Sequence, residues 1–417
     1  MVSTPGINLQ PLQAEYDNML RCIRCAACLT SCPTYVVTHK EEEGPRGRIA
    51  IMRAMVEGQL EITPDGITHL DNCLLCEACT NVCPAGVEME RLGIAFRDAM
   101  TDGKTSEQPL AARLAFGWLF GDLGHFRLLG RLMWLYQRSG AQWLARNLGL
   151  LKLMGMDKTE ALLPRVPGHF VTPRGQTVGD GPTARIFAGC IMSTAFAPTT
   201  EATARVVAAF GCRAEMTAGQ VCCGALQAHS GAVERARELA RQNLAAFGDG
   251  DEPIIVNAAG CGAMLKHYAV LLPDEPRAAR FVARVKDVSE FLAGRSPTRT
   301  PRELDTTLAI QDPCHLLHAQ RIAAQPRQLL RAIPGVKTVE IADGEVCCGS
   351  AGIYNVGHPE MAADLQQRKC ANIVATGCDA VVTGNPGCLV QIQAGLPGTI
   401  QVRHIVDVLD EAYSPET

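Results

Sequence analysis

Cys22-Ile23-Arg24-Cys25-Ala26-Ala27-Cys28-Leu29-Thr30-Ser31-Cys32-Pro33 is the stretch from which the rest of the chain is read. Two gaps of two residues and one of three separate its four cysteines, and a proline follows. The same spacing returns at Cys73, Cys76, Cys79 and Cys83-Pro84. A cube of four irons needs one thiolate per iron, and two-residue gaps let one loop reach three corners while its backbone amides face the sulfurs. In chains with two such runs the fourth cysteine of each serves the other cluster. Cys22, Cys25, Cys28 and Cys83 are therefore expected to hold one [4Fe-4S] cluster, and Cys32, Cys73, Cys76 and Cys79 a second. The proline after each fourth cysteine is read as turning the chain away from a helix. Zinc is satisfied by ligands in pairs and does not call for this triple-plus-one pattern.

The surrounding chain has room for such sites. Its 417 residues suggest two or three domains. A hydrophobic content of 47%, a charged content of 20% and a net charge of −4 describe a globular protein and give no reason to expect a nucleic-acid partner. Met1 to Gln10 lacks the basic and apolar stretches of an export signal, and nowhere do about 18 apolar residues run uninterrupted. A cytoplasmic, non-spanning chain is expected. In that reducing setting nineteen cysteines point to metal ligation rather than disulfides.

Residues 1–102 read as a small helical domain carrying both quartets, with a helix over Ile49 to Leu60. Residues 103–160 interleave apolar residues with Arg113, Arg127, Arg131, Arg138 and Arg146 and contain all three tryptophans, Trp118, Trp134 and Trp143. That spacing suits amphipathic helices. A connector packed on its own protein is the preferred reading, with a membrane surface or a partner as the alternative. Residues 161–183 are rich in proline and glycine and read as a linker.

Beyond the linker the sequence repeats itself once, over 184–295 and 304–413. A strand ending at Gly189-Cys190 is followed by a helix, Cys222-Cys223-Gly224, a helix from Val233 to Phe247, a strand and Gly260-Cys261-Gly262. A strand ending at Asp312-Pro313-Cys314 is followed in the same order by Cys347-Cys348-Gly349, a helix from Pro359 to Ala375, a strand and Gly387-Cys388. Alternating strands and helices imply parallel βα units, so each copy is expected to be a small doubly wound α/β domain with its site at the carboxyl ends of the strands. Cys190, Cys222, Cys223 and Cys261 form one four-thiol set, and Cys314, Cys347, Cys348 and Cys388 the other. An additional iron-sulfur centre, a structural zinc or reduced core cysteines are the options there. The neighbouring glycines are read as allowing the backbone close to a bulky cofactor.

Cys212, Cys370 and Cys378 fit no set and are assigned to the core. His315 and His318, beside Cys314, are read as packing or hydrogen-bonded residues in preference to redox-tuning ones. Arg46 and Arg48, in the loop between the quartets, are candidates for steadying anionic clusters, against the plainer reading of solvated loop arginines. There is no GxGxxG opening a helix after a strand and no P-loop, so the chain alone is poorly equipped to take a hydride from an organic substrate.

Two ferredoxin quartets followed by two Cys-Cys-Gly units resemble the iron-sulfur subunit of bacterial glycolate oxidase (glycolate dehydrogenase) over nearly the whole chain. Gly44-Pro45-Arg46-Gly47-Arg48-Ile49, Gly260-Cys261-Gly262-Ala263, Leu316 and His318-Ala319-Gln320 after Cys314, and Cys347-Cys348-Gly349-Ser350-Ala351-Gly352 carry the likeness. The resemblance implies an electron-transfer subunit of an oxidoreductase complex whose FAD-containing subunits oxidise glycolate to glyoxylate. It further implies a membrane electron acceptor such as quinone, peripheral attachment at the cytoplasmic face of the inner membrane, and no substrate oxidation by this chain alone. Alternatives are the corresponding subunit of a D-lactate or anaerobic glycerol-3-phosphate dehydrogenase, and a thiol/disulfide enzyme similar to heterodisulfide reductase. Relatives of the last kind often end each unit in CxxC, whereas here Met264 and Gln391 stand where that fifth thiolate would be.

Overall fold

The computed structural model describes residues 7–101, 119–153, 156 and 160–413. Arg113 and Trp118, and with them the first part of the expected connector, lie outside the described residues.

The N-terminal part is helical. Pro33, Pro45 and Pro64 each occupy the first position of a helix, Pro33–Thr38, Pro45–Val56 and Pro64–Asp71, where the missing N–H has no intrahelical partner to lose. Pro33 thus begins a helix rather than turning the chain away from one; Pro84 sits in a turn. Leu12, Met19, Met52, Leu92 and Phe96 are buried between these helices and the closing helix Met89–Thr101.

The repeat becomes two sheets. The first contains β1 (Thr177–Val178), β2 (Thr183–Phe187), β3 (Arg213–Met216), β4 (Ile254–Val256) and β5 (Val285–Asp287), in the order β1-β3-β2-β4-β5. The second contains β6 (Thr306–Ile310), β7 (Val336–Glu340), β8 (Ala380–Thr383) and β9 (Gln401–His404), in the order β7-β6-β8-β9. All neighbours are parallel except β1, which adds to β3 antiparallel from within the proline- and glycine-rich stretch. Register runs Ile186 to Ile255 and Ile255 to Lys286 in one sheet, Ala309 to Val381 and Val381 to Val402 in the other. β4 and β8 are buried along their whole length, which is why they read as unbroken apolar runs.

The repeats pack reciprocally. The helix Ala197–Ala209 of the first lies on Ile405–Tyr413 of the second, and Val288–Ala293 of the first lies on Ala324–Arg331 of the second. Ile186, Val207 and Ile255 share one apolar core with Leu308, Leu330 and Leu409. Arg205 and Asp410, 2.6 Å apart, close the seam at the surface.

Candidate metal centres

In each sheet the chain reverses its winding between the two central strands, and the crevice at the carboxyl ends of those strands is where doubly wound folds bind ligands. Cys190 follows β2 and Cys261 follows β4; Cys314 follows β6 and Cys388 follows β8. The paired cysteines follow β3 in one copy and β7 in the other. The topology therefore gathers four thiols at one edge in each repeat. The Sγ atoms of Cys190 and Cys222 lie 3.7 Å apart and those of Cys223 and Cys261 3.4 Å apart, while Cys314 and Cys347 are separated by 4.0 Å. Asn385 donates to the Cys388 sulfur at 3.4 Å.

The glycines of the two Cys-Cys-Gly units serve helix packing. Both adopt left-handed backbone, φ +85° at Gly224 and +87° at Gly349, and a β-carbon there would meet the following helix, 3.3 Å from Ala236 Cα and 2.7 Å from the Ala362 carbonyl oxygen. They admit a helix close to the thiols. Met264 and Gln391 are buried, Met264 in the apolar core and Gln391 between Asn355 and the Ala362 carbonyl. Cys212, Cys370 and Cys378 are buried among apolar side chains, as assigned.

The ferredoxin-type quartets sit around two cavities. One is lined by Cys22, Cys25, Cys28 and Cys83, together with Cys79, Pro45 and Ile49. The other is lined by Cys32, Cys73, Cys76 and Cys79, together with Arg48 and Glu90. The two triple-cysteine loops have matching backbones. Arg24 and Ala26 in the first, and Leu75 and Glu77 in the second, have φ between +52° and +68° at the same places after the leading cysteine. Such alternation turns successive N–H groups to one side and forms an anion-binding concavity of the kind that surrounds iron-sulfur clusters. Four non-glycine residues in this conformation carry backbone strain that an anionic cofactor offsets. Burial pushes the Cys28 thiol up to about 11, so ionising it requires a cation close by. Among the described residues no group of three or more His, Cys, Asp or Glu side chains is arranged to hold a single metal ion.

Arg46 and Arg48 belong to the first turn of a helix, not to a loop, and their fates differ. Arg46 is partly exposed and pairs with Glu41. Arg48 is buried: it donates to Glu43 Oε2 at 2.8 Å, to Thr34 Oγ1 at 3.1 Å and to the Cys32 sulfur at 3.9 Å. Burial works to lower its pKa, but the sulfurs of Cys73 and Cys32 and the Glu43 carboxylate outweigh that and hold it above the ordinary value. Glu43 in turn holds His69 and Asn72 at 2.6 and 3.0 Å.

The helical part is seated on both repeats through the second quartet's loop. Arg97 donates to the carbonyls of Cys73 and His229 at 2.8 Å each, Tyr354 to that of Asn72 at 3.0 Å, and His315 to that of Leu75 at 2.9 Å. Cys76 packs with Cys347 in one cluster, with Cys314 at its border. At this junction Glu90 lies 3.3 Å from His229 and 3.5 Å from His267. Burial works to raise Glu90, but the His229 hydrogen bond and the neighbouring imidazoles outweigh it and hold it at about 2; Glu77, buried beside it, is pushed up to about 8. His318 is hydrogen-bonded to the Glu345 carbonyl, the packing role expected of it.

Comparison with known proteins bears on all of these sites. A cysteine-rich domain family matches 184–266 and 308–393, and a 4Fe-4S dicluster domain family matches 18–87. The linker region of the glycolate oxidase iron-sulfur subunit matches 107–163. The probable glycolate oxidase iron-sulfur subunit of Bacillus subtilis is 38% identical over 97% of this chain and 96% of its own. The chain belongs to the glycolate oxidase iron-sulfur subunit family. The Escherichia coli glycolate oxidase iron-sulfur subunit is 29% identical over 96% of each chain. A subunit of the Methanosarcina barkeri dihydromethanophenazine:CoB–CoM heterodisulfide reductase is 25% identical over 99% of each. Membership makes this an iron-sulfur protein of an oxidoreductase complex, with a ferredoxin-type domain followed by two cysteine-rich domains.

Proposed function

We propose that this chain is the electron wire of a glycolate dehydrogenase complex, carrying electrons from an FAD subunit that oxidises glycolate to glyoxylate towards a membrane quinone. The observation that carries the reading is the crossing of the two quartets: each cavity is lined by three cysteines of one run and the fourth cysteine of the other, with Cys79 bordering both. Cys22, Cys25, Cys28 and Cys83 would hold one [4Fe-4S] cluster, and Cys32, Cys73, Cys76 and Cys79 the second. Bound clusters of this kind accept and release single electrons. The protein's part is to bind, insulate and tune: the left-handed loops aim amides at the sulfurs, and Arg48 sets a fixed positive charge beside Cys32 and Cys73.

The buried Met264 and Gln391 support a four-thiolate site, and not a five-thiolate one, in each cysteine-rich repeat. Direct disulfide chemistry is thereby disfavoured. Iron and zinc quantification with electron paramagnetic resonance on anaerobically purified protein tests the whole reading. About eight irons per chain mean the two ferredoxin-type clusters alone, about four more mean a third centre, and zinc means a structural one. A folded, iron-free chain would sink the proposal, as would glycolate oxidation by the purified chain without a flavoprotein.

A further inference from the structure

We propose that the helical hairpin Leu123–Arg138 and Ala141–Asn147 docks this chain on the surface of an anionic phospholipid bilayer. The inference deepens the membrane-acceptor reading above and rests on it for its purpose, the delivery of electrons at the membrane.

Charge is segregated on this segment. From 123 to 156 there are Arg127, Arg131, Arg138, Arg146 and Lys152 and no aspartate or glutamate, in a chain whose net charge is −4. Among the described residues no carboxylate pairs with Arg131, Arg138 or Lys152. The hairpin is held from its inner side. Asp122 caps the first helix, Gly130 lies under the Phe170 ring, and Gln137 exchanges hydrogen bonds with Pro164 and Val166. Buried Glu160 accepts from Arg146 at 2.9 Å and from Gln142 at 2.7 Å, tying the second helix to the first through Tyr136.

The outer side is bare and apolar. Leu128, Leu132 and Leu135 follow helical spacing at 48%, 57% and 55% exposure, flanked by Arg131 and Arg138. Past the turn, Trp143, Leu148 and Leu153 are 68%, 71% and 85% exposed. Exposed apolar side chains grouped along a helix face in this way mark an interaction site. Arginines bordering a leucine face are what a lipid boundary accommodates, since the leucines enter the acyl layer while arginine heads reach the phosphates. With five cations and no carboxylate between 123 and 156, the segment complements an anionic surface. No helix among the described residues is long and apolar enough to cross a membrane, so the hairpin would lie in the interface plane.

The full-length, anaerobically purified chain should co-float with vesicles containing phosphatidylglycerol and much less with phosphatidylcholine alone, and high salt should release it. Because all three tryptophans fall at 118, 134 and 143, binding should also shift their emission to the blue. Leu132→Glu with Leu135→Glu should abolish flotation, and Arg131→Ala with Arg138→Ala should weaken it about fivefold per charge removed. Both variants should keep the parent's far-ultraviolet circular dichroism and iron content. Failure of the parent to bind anionic vesicles, or unchanged binding by the Leu variant, overturns the proposal. Loss of flavoprotein association in that variant without vesicle binding by the parent makes the surface a protein interface and overturns it equally. A chain that binds vesicles but delivers no electrons to quinone within them leaves the docking intact and sinks the quinone reading instead.

Discussion

The two cysteine-rich repeats share an order of strands and an order of thiols, and they differ in the buried residues of the helix on which each Cys-Cys-Gly glycine packs: Asn243 and Leu244 in the first, Lys369 in the second. Leu244 is part of the apolar core. Lys369 is as deeply buried, and its ammonium donates to the carbonyls of Asp343 and Gly344 at 2.8 and 3.0 Å. Burial pushes its pKa down, against the sulfurs of Cys348, Cys347 and Cys388, which favour the charge. Cys347 of the second repeat also shares an apolar cluster with Cys76 of the ferredoxin part. One thiol pattern has thus been placed in two electrostatic settings, and only that of the second repeat has Lys369 as a resident cation.

The comparison breaks most sharply under a charge swap. Leu244→Lys should cost about 3 to 5 kcal/mol, since nothing in the first repeat is placed to receive a buried ammonium. Lys369→Leu should cost less, about 1 to 3 kcal/mol, because it removes the charge and leaves two carbonyls unanswered. Urea midpoints of the two variants measure the difference; equal losses would mean the repeats are electrostatically alike.

Next come the glycines. Gly349→Ala drives a β-carbon towards a backbone oxygen that cannot retreat, whereas Gly224→Ala meets a looser neighbour. The expected losses are about 3 and about 1 to 2 kcal/mol. The reverse order in thermal unfolding would show that the second helix yields more readily than its packing suggests.

A functional contrast is expected between Cys347→Ser and Cys222→Ser. The first should alter the paramagnetic resonance of the second quartet's cluster and slow electron delivery about tenfold, a barrier change of about 1.4 kcal/mol. The second should leave that signal as it was. Identical spectra from both variants would remove the assigned advantage of the second repeat.

The smallest effect concerns the residue that ends the last strand of each repeat and caps the next helix. Asp287 accepts from Ser289 N at 2.8 Å, and His404 Nδ1 accepts from Val406 N at 3.2 Å while Nε2 donates to the Asn257 carbonyl. Burial raises Asp287 to about 6 and lowers His404. The aspartate's contribution is present at low pH and lost as pH rises through about 6. That of neutral His404 is present above its unfolded value of about 6.5 and lost as pH falls below it. Asp287→Asn should therefore gain about 1 kcal/mol at pH 7.5, and His404→Gln should flatten the decline below pH 6.5. Stability measured between pH 5.5 and 8 checks both; parallel profiles for parent and variants would show that neither cap titrates in this range.

Not all of this was legible in the residues. The central strands β2, β4, β6 and β8 announce themselves as apolar runs, and the long helices by their period. The flanking strands did not: Arg213-Ala214-Glu215-Met216, Val336-Lys337-Thr338-Val339-Glu340 and Gln401-Val402-Arg403-His404 are short, charged and half exposed, the last two at sheet edges. Arg48 was marked by its place in Gly44-Pro45-Arg46-Gly47-Arg48, yet nothing local distinguished it from Arg46. Its burial depends on Glu43, Thr34 and Cys32 arriving from other turns. Glu90, His229 and His267 carried no motif, since they meet only where the helical part is clamped on the first repeat.

Sequence alone determined the cofactor chemistry and the family, because the ligands of an iron-sulfur cube are bound by spacings along one loop and a thiol has few other uses at those intervals. Tertiary structure decided how the two repeats meet the ferredoxin part and which arginine becomes a buried charge. Those are questions of distance between segments far apart in the chain, and they are answered by packing, not by the order of residues within a loop.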